Sequence, residues 1–182
     1  MPALNNSAPS YHYWLVASWL VITLVAATFF MSEKVVEFDP DGLLTNQSAQ
    51  EIINALQLGS VTMHGNFKSS NKATLYHIKQ ADCRCNSTSE PHIQALNEQA
   101  QALDLQIINL EFTQHLQAII PSTPATLITN NQGELVYLGP YGQGFACTEK
   151  TAVVTAVLTN LQKGFNSALV LNQARGCYCA TS

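Results

Sequence analysis

Four of the five cysteines stand in two pairs with a single residue inside each: Cys83 and Cys85 in "DCRC", and Cys177 and Cys179 in "GCYC". The fifth, Cys147, closes the stretch "GPYGQGFAC". Five cysteines are too few for a miniprotein scaffold and too clustered for scattered core residues. The only two arginines accompany the pairs, Arg84 between the first two thiols and Arg175 just before the second two. A thiol used for exchange must be reachable, partly ionised and close to a second sulfur, and a neighbouring cation raises its thiolate fraction. Asp82 works against that effect. Three chemistries suit this pattern. Thiol–disulfide exchange would use Cys83 or Cys85 as the attacking sulfur and the other to resolve, with Cys147 or the terminal pair as a relay. Several thiolates together would instead hold Cu(I), or Zn²⁺ in a tetrahedral site. Disulfides that only brace loops are the third reading. An odd count leaves one cysteine free or paired between chains, and spacing alone does not choose the connectivity.

These residues need elements to hold them. Ser48 and Glu51 form a capping-box pattern ahead of Ile52, Ile53 and Leu56, which predicts a short helix with Gly59 as its stop. Thr74 to Ile78 reads as a strand that ends where the first cysteines begin. Ile93, Leu96, Ala100 and Leu103 recur at helical spacing from about Pro91, although Pro91 leaves an earlier start open. "LQIINLEF", Leu105 to Phe112, reads as a buried strand, and Thr113 to Ile120 as a short helix that stops before Pro121. "ATLITN" and "ELVYLG" are two strands joined by the hairpin-like turn "NNQG". Thr148 to Lys163 reads as a helix ended by Gly164. A right-handed crossover makes the first two strands parallel and the hairpin makes the last two antiparallel. The expected fold is a mixed α/β sheet with helices on both faces.

Other candidates carry less. His77 lies on the strand leading to the cysteines and His92 early in the following helix, where either could ligate a metal or move a proton; a hydrogen-bonded core histidine is the plainer reading. His64 and His115 have weaker placements. "YGQG" lacks the lysine of a phosphate loop and reads as a turn. The net charge of −4, without a basic stripe, speaks against nucleic acid as a partner.

Residues 14–31, "WLVASWLVITLVAATFFM", are an uncharged run worth about 27 Å of helix, close to a bilayer core. Tyr11, Tyr13, Trp14 and Trp19 suit an interfacial aromatic belt. No Lys or Arg precedes the run, so it reads as an uncleaved anchor ahead of a cleaved signal or a core helix. Lys34 alone flanks it, and charge does not fix its orientation.

The order strand, cysteine pair, helix, then "STPATLI" and a hairpin ending in a helix resembles the thioredoxin fold over about Ala73 to Gly164. The resemblance implies a cis peptide at Thr123–Pro124 beside the active cysteines, with Cys83, Cys85, Arg84, Thr123 and Pro124 as the catalytic set. Thioredoxins carry two residues between their cysteines where this chain has one, so a Cys83–Cys85 disulfide would be tight and oxidising. "DCRC", "STPA", "LGPYGQGFAC" and "GCYC" together resemble a bacterial family of membrane-anchored, thioredoxin-like proteins of unknown function, which implies an envelope location and no reaction. In the inferred sheet the hairpin brings Cys147 to the Cys83 end, and Phe165 to Gly176 is long enough to bring Cys177 and Cys179 back, so one site is expected to gather all five sulfurs on accessible ground. The expected organisation is a tail (1–13), a transmembrane helix (14–31), a linker (32–47), a thioredoxin-like domain (48–164) and a cysteine-bearing extension (165–182). The expected protein is a single-pass inner-membrane protein with a periplasmic domain, acting on an unidentified protein thiol or disulfide. No cofactor is expected in the exchange reading; Cu(I) or Zn would be bound in the alternative by Cys83, Cys85, Cys147, Cys177 and Cys179.

Overall fold

The computed structural model describes residues 11–32, 35–61, 71–144 and 153–181, which fall into two units divided between Lys34 and Val35. The first unit is helix α1, Tyr11–Ser32. Its apolar side chains are exposed from Tyr11 to Phe30, Trp14 at 77% among them, unlike those of a core helix in a soluble body. Ser18, Thr23 and Thr28 turn their hydroxyls back to the carbonyls of Leu15, Trp19 and Val25 at 3.0, 2.8 and 2.9 Å, which satisfies these polar groups within the helix. The helix is long and apolar enough to cross a membrane.

In the second unit, β1 (Val36–Glu37) leads through a turn to α2 (Ala49–Val61). Asp39 holds that turn, its two carboxylate oxygens accepting from the amides of Leu43 and Leu44 at 2.7 and 2.8 Å. The capping box forms: the Ser48 amide donates to Glu51 at 2.7 Å and the Glu51 amide to the Ser48 hydroxyl at 3.3 Å. Gly59 does not stop the helix, which continues to Val61. A glycine inside a helix costs about 1 kcal/mol and ends it only where the chain needs another conformation.

Five strands make the central sheet in the order β3-β2-β5-β6-β7, where β2 is Thr74–Lys79, β3 Gln106–Glu111, β5 Ala125–Thr129, β6 Leu135–Gly139 and β7 Leu169–Val170. β2 runs parallel to β3 and antiparallel to β5, β5 is antiparallel to β6, and β6 is parallel to β7. The mixed sheet and its flanking helices are those expected from the sequence. "LQIINLEF" differs: β3 is an edge strand whose residues are exposed or half-buried, because only β2 pairs with it. Gly133 takes a positive φ of 79° in the β5–β6 turn, where Asn130 accepts from the amides of Gln132 and Glu134.

α3 (Cys85–Ala102) and α4 (Val153–Gln162) cover one face, packing Ile93, Leu96, Ala100, Val154, Val157 and Leu158 against Leu75, Ile128 and Val136. α2 covers the other face, with Phe38, Leu44, Ile52 and Leu56 against Tyr76, Ile78, Leu127 and Leu138. Covering both faces explains why β2, β5 and β6 read as continuous apolar runs. α3 starts at Cys85 and carries Pro91 inside its second turn, so the earlier of the two starts is used. The segment after β3 is a 3₁₀ turn, Gln114–Leu116, shorter than the helix expected there. The expected residues 148–152 of the last helix, and His64, lie outside the described residues.

His77 is fully buried in β2, its ring nitrogens 2.7 Å from the Tyr141 hydroxyl and 2.8 Å from Asn97 Oδ1. It is the core histidine of the plainer reading. Burial lowers its pKa below the usual value, the Asn97 contact and Glu90 pulling upward and Lys79 downward. The unfolded chain therefore binds a proton at this residue that the folded chain refuses, and stability falls as pH drops from about 6.5 toward the folded pKa. We expect His77→Leu to lose less stability than wild type between pH 7.5 and pH 5, read from denaturant midpoints of the full chain in detergent. An equal loss in both proteins would contradict this assignment.

Candidate functional site

The residues between β2 and α3 fix the first cysteine pair. The Cys83 amide donates to Gln80 O at 3.1 Å and the Asn86 amide to Cys83 O at 3.2 Å, while the Asn86 side chain reaches back to Gln80 O at 2.7 Å. This tight turn delivers Cys83 to the end of the sheet and makes Cys85 the first residue of α3. Both are buried, at 6% and 7% exposure.

Across from them lies β4 (Ser122–Thr123), and the Thr123–Pro124 peptide is cis. Cys83 Sγ lies 3.4 Å from Thr123 O. A disulfide sulfur carries no proton, so this is a contact in the bonded state; a free Cys83 thiol would donate to that carbonyl. The last strand, β9 (Cys179–Ala180), pairs antiparallel with β4 and sets Thr123 opposite Cys179. The Thr181 amide donates to Pro121 O at 3.1 Å, and its hydroxyl to Ile120 O at 2.7 Å.

The consequence is covalent. Cys83 is joined to Cys179 with Cα atoms 5.8 Å apart, and Cys85 to Cys177 with Cα atoms 5.5 Å apart. The two bridges are nested, as two antiparallel segments with equal one-residue spacing require. Cys83 and Cys85 are therefore not bonded to each other, and the tight one-residue ring does not form. The expectation of two accessible neighbouring thiols is corrected accordingly. The tail pairs against β4 beside them, and its own Cys177 and Cys179 are half-buried, more exposed as residues than Cys83 and Cys85.

The tail is seated by Tyr178, between its two cysteines. Tyr178 is buried, its hydroxyl donates to Gly142 O at 2.6 Å, and its ring meets Phe38 edge-on at 5.3 Å. The ring folds back over Gly176, where a Cβ would lie 2.6 Å from the Tyr178 hydroxyl oxygen and 2.7 Å from Cζ. Upstream, β8 (Arg175–Gly176) pairs with β1, and the Gly144 amide donates to Arg175 O at 2.7 Å. No sequence signal flagged Tyr178, Gly176 or Phe38, because their roles depend on where the tail returns.

Four of the five sulfurs thus meet, as expected, and Cys147 lies outside the described residues. Cys83, Cys85 and Cys179 place their sulfurs within 4.8 Å of one another. Arg84 is exposed at the start of α3, while Arg175 lies 3.7 Å from Glu37 across the β1–β8 pair and shares its charge with that carboxylate. His92 is buried with its ring against Tyr141, and His115 is in the 3₁₀ turn.

Each bridge spans more than ninety residues, 96 and 92 in sequence separation. One such closure contributes about 4 to 5 kcal/mol by chain entropy, and the second, once the first exists, closes a ring of only about six residues and contributes about 2 kcal/mol. Removing either bridge alone, with Cys83→Ser/Cys179→Ser or Cys85→Ser/Cys177→Ser, should cost about 2 kcal/mol, and removing both about 7 kcal/mol. Denaturant midpoints of the three variants test this; strictly additive losses would contradict it.

A search of curated proteins found no match, and neither did a search of solved structures. Comparison with protein families matches residues 50–181, a span that contains both cysteine pairs, the Thr123–Pro124 turn and every strand of the central sheet. The chain belongs to the family described as Domain of unknown function (DUF6436).

Proposed function

We propose that this chain is a membrane-anchored thiol–disulfide exchange protein, a redox relay that passes electron pairs between protein dithiols and its own nested bridges. The observation that carries the reading is the meeting of two disulfides at the cis Thr123–Pro124 turn, with Cys83 Sγ 3.4 Å from Thr123 O. A parallel β2–α3–β3 unit, a cysteine at the start of α3 and a cis proline leading into an antiparallel hairpin support a thioredoxin-like scaffold. The apolar helix α1 supports an anchor in the bacterial inner membrane, and disulfide chemistry favours the oxidising, periplasmic side.

The exposure pattern sets the order of events. A thiolate of the partner attacks Cys179, the more exposed residue of its bridge, forming a mixed disulfide and expelling Cys83 as thiolate. The Thr123 carbonyl accepts from Cys83 once that sulfur takes up a proton. A second partner thiolate attacks the mixed disulfide, which leaves the partner oxidised and Cys179 reduced. Two electrons have then entered the chain, and Cys85–Cys177 can accept two more by the same steps through Cys177. Run in reverse, the reduced chain reduces a partner disulfide. Thr123 and Pro124 shape the turn against which this happens, and Arg84 adds a cation beside the released thiolates. Ligation of Cu(I) or Zn²⁺ is the alternative use of the same cysteines, favoured by the close grouping of Cys83, Cys85 and Cys179.

The oxidised full chain in detergent should oxidise a dithiol peptide well above the uncatalysed rate, forming one peptide disulfide for each bridge consumed. Cys83→Ser/Cys85→Ser should lower that rate by about a hundredfold or more, since it removes the stored oxidising equivalents. A wild-type rate equal to background, with both bridges intact, would make them structural braces and overturn the proposal.

A further inference from the structure

The two bridges are not all that keeps the tail in place. Tyr178 is inserted among Phe38, Gly142 and the α2-side core, β8 pairs with β1, β9 pairs with β4, and Thr181 bonds to Ile120 and Pro121. Cutting both S–S bonds removes none of these contacts. The reduced chain therefore keeps Cys177 and Cys179, on either side of the buried Tyr178, facing Cys83 and Cys85.

Three of those sulfurs, on Cys83, Cys85 and Cys179, lie within 4.8 Å of one another. A tetrahedral zinc ion with Zn–S bonds of about 2.3 Å needs sulfurs about 3.8 Å apart, so these three need only small shifts. Cys177, bonded to Cys85 but outside that three-sulfur group, is the fourth donor and must swing inward once its bond is cut. Two one-residue-spaced pairs converging from separate segments give a four-sulfur set, the donor set and number that suit Zn²⁺. Such a complex carries a net double negative charge, and Arg84 lies between two of its ligands in the chain.

We propose that the reduced protein is a tetrathiolate zinc site built by Cys83, Cys85, Cys177 and Cys179, with Tyr178 as the peg that holds the second pair in register. Disulfides and metal are then mutually exclusive states of one site. Each bridge takes two electrons and two protons from a protein dithiol, which becomes a disulfide; Zn²⁺ then replaces the four thiol protons, which leave to solvent. Bound zinc withholds the thiolates from exchange until two partner disulfides each take two electrons back and two protons from solvent, which re-forms both bridges and releases the metal. The proposal needs the four-electron reduced state and does not need exchange with any particular partner.

The test uses the full chain in detergent, reduced with a phosphine under anaerobic conditions and titrated with Co²⁺ as a spectroscopic probe. One Co²⁺ per chain is expected, with the intense thiolate charge-transfer and visible bands of a tetrahedral four-sulfur ion, and Zn²⁺ should abolish them stoichiometrically. The oxidised chain should show no such bands, and Cys147→Ser should bind as wild type. Cys177→Ser/Cys179→Ser should bind about a hundredfold or more weakly; if that variant does not fold, wild type and Cys147→Ser still decide. A pale octahedral spectrum in the reduced wild type, or loss of the tetrahedral bands in Cys147→Ser, would overturn the four-cysteine site. The metal-free peptide oxidation assay reads the exchange reaction separately, so either idea can fail without the other.

Discussion

The covalent closure between the start of α3 and the C-terminal tail determines what the rest of the site can do. It joins residues more than ninety positions apart at two neighbouring points, Cys83 to Cys179 and Cys85 to Cys177. Two bonds side by side fix both the position and the direction of the tail, which one bond would not. β9 lies against β4 and Tyr178 meets Phe38 in the same closure. The five-stranded sheet is the frame for this closure, since β2 brings in Cys83 and β5 begins at the turn that Cys83 touches.

Burial then divides the four sulfurs into two kinds. Cys83 and Cys85 are buried at the sheet end, and Cys177 and Cys179 are half-buried on β9 and the residues just before it. In the proposed exchange, an incoming thiolate attacks the half-buried pair and expels Cys83 or Cys85 beside the Thr123 carbonyl and the start of α3. Non-covalent seating of the tail by Tyr178 underlies the proposed zinc site, which needs the four thiols to stay neighbours after reduction. The proposed exchange and the proposed metal ligation both draw on that one arrangement.

Much of the frame was legible because it rests on local pattern. The apolar run of α1, the Ser48–Glu51 capping box, and the two runs flanking "NNQG" each declare their structure within a few residues. The convergence of both cysteine pairs was also readable, since the distance from Phe165 to Gly176 allows the return. Connectivity was not, because the spacing of Cys83 and Cys85 admits both a small ring and a cross-link to a distant partner. Burial of these two cysteines followed from that choice and so escaped as well. "LQIINLEF" reads as a buried strand, yet Ile107, Ile108 and Leu110 occupy a half-exposed edge. Composition reports how apolar a strand is but not how many neighbours it has. β7 and β8, two residues each, are set by pairing with β6 and β1 and carry no signal of their own.

The nested cross-link itself is open to direct measurement. Proteolysis of the purified, oxidised full chain without reduction, with thiols first blocked and the fragments sequenced by mass spectrometry, identifies each sulfur's partner. The account predicts Cys83 linked to Cys179 and Cys85 linked to Cys177, with Cys147 in neither bridge. A fragment in which Cys83 is bonded to Cys85, or Cys177 to Cys179, would contradict it.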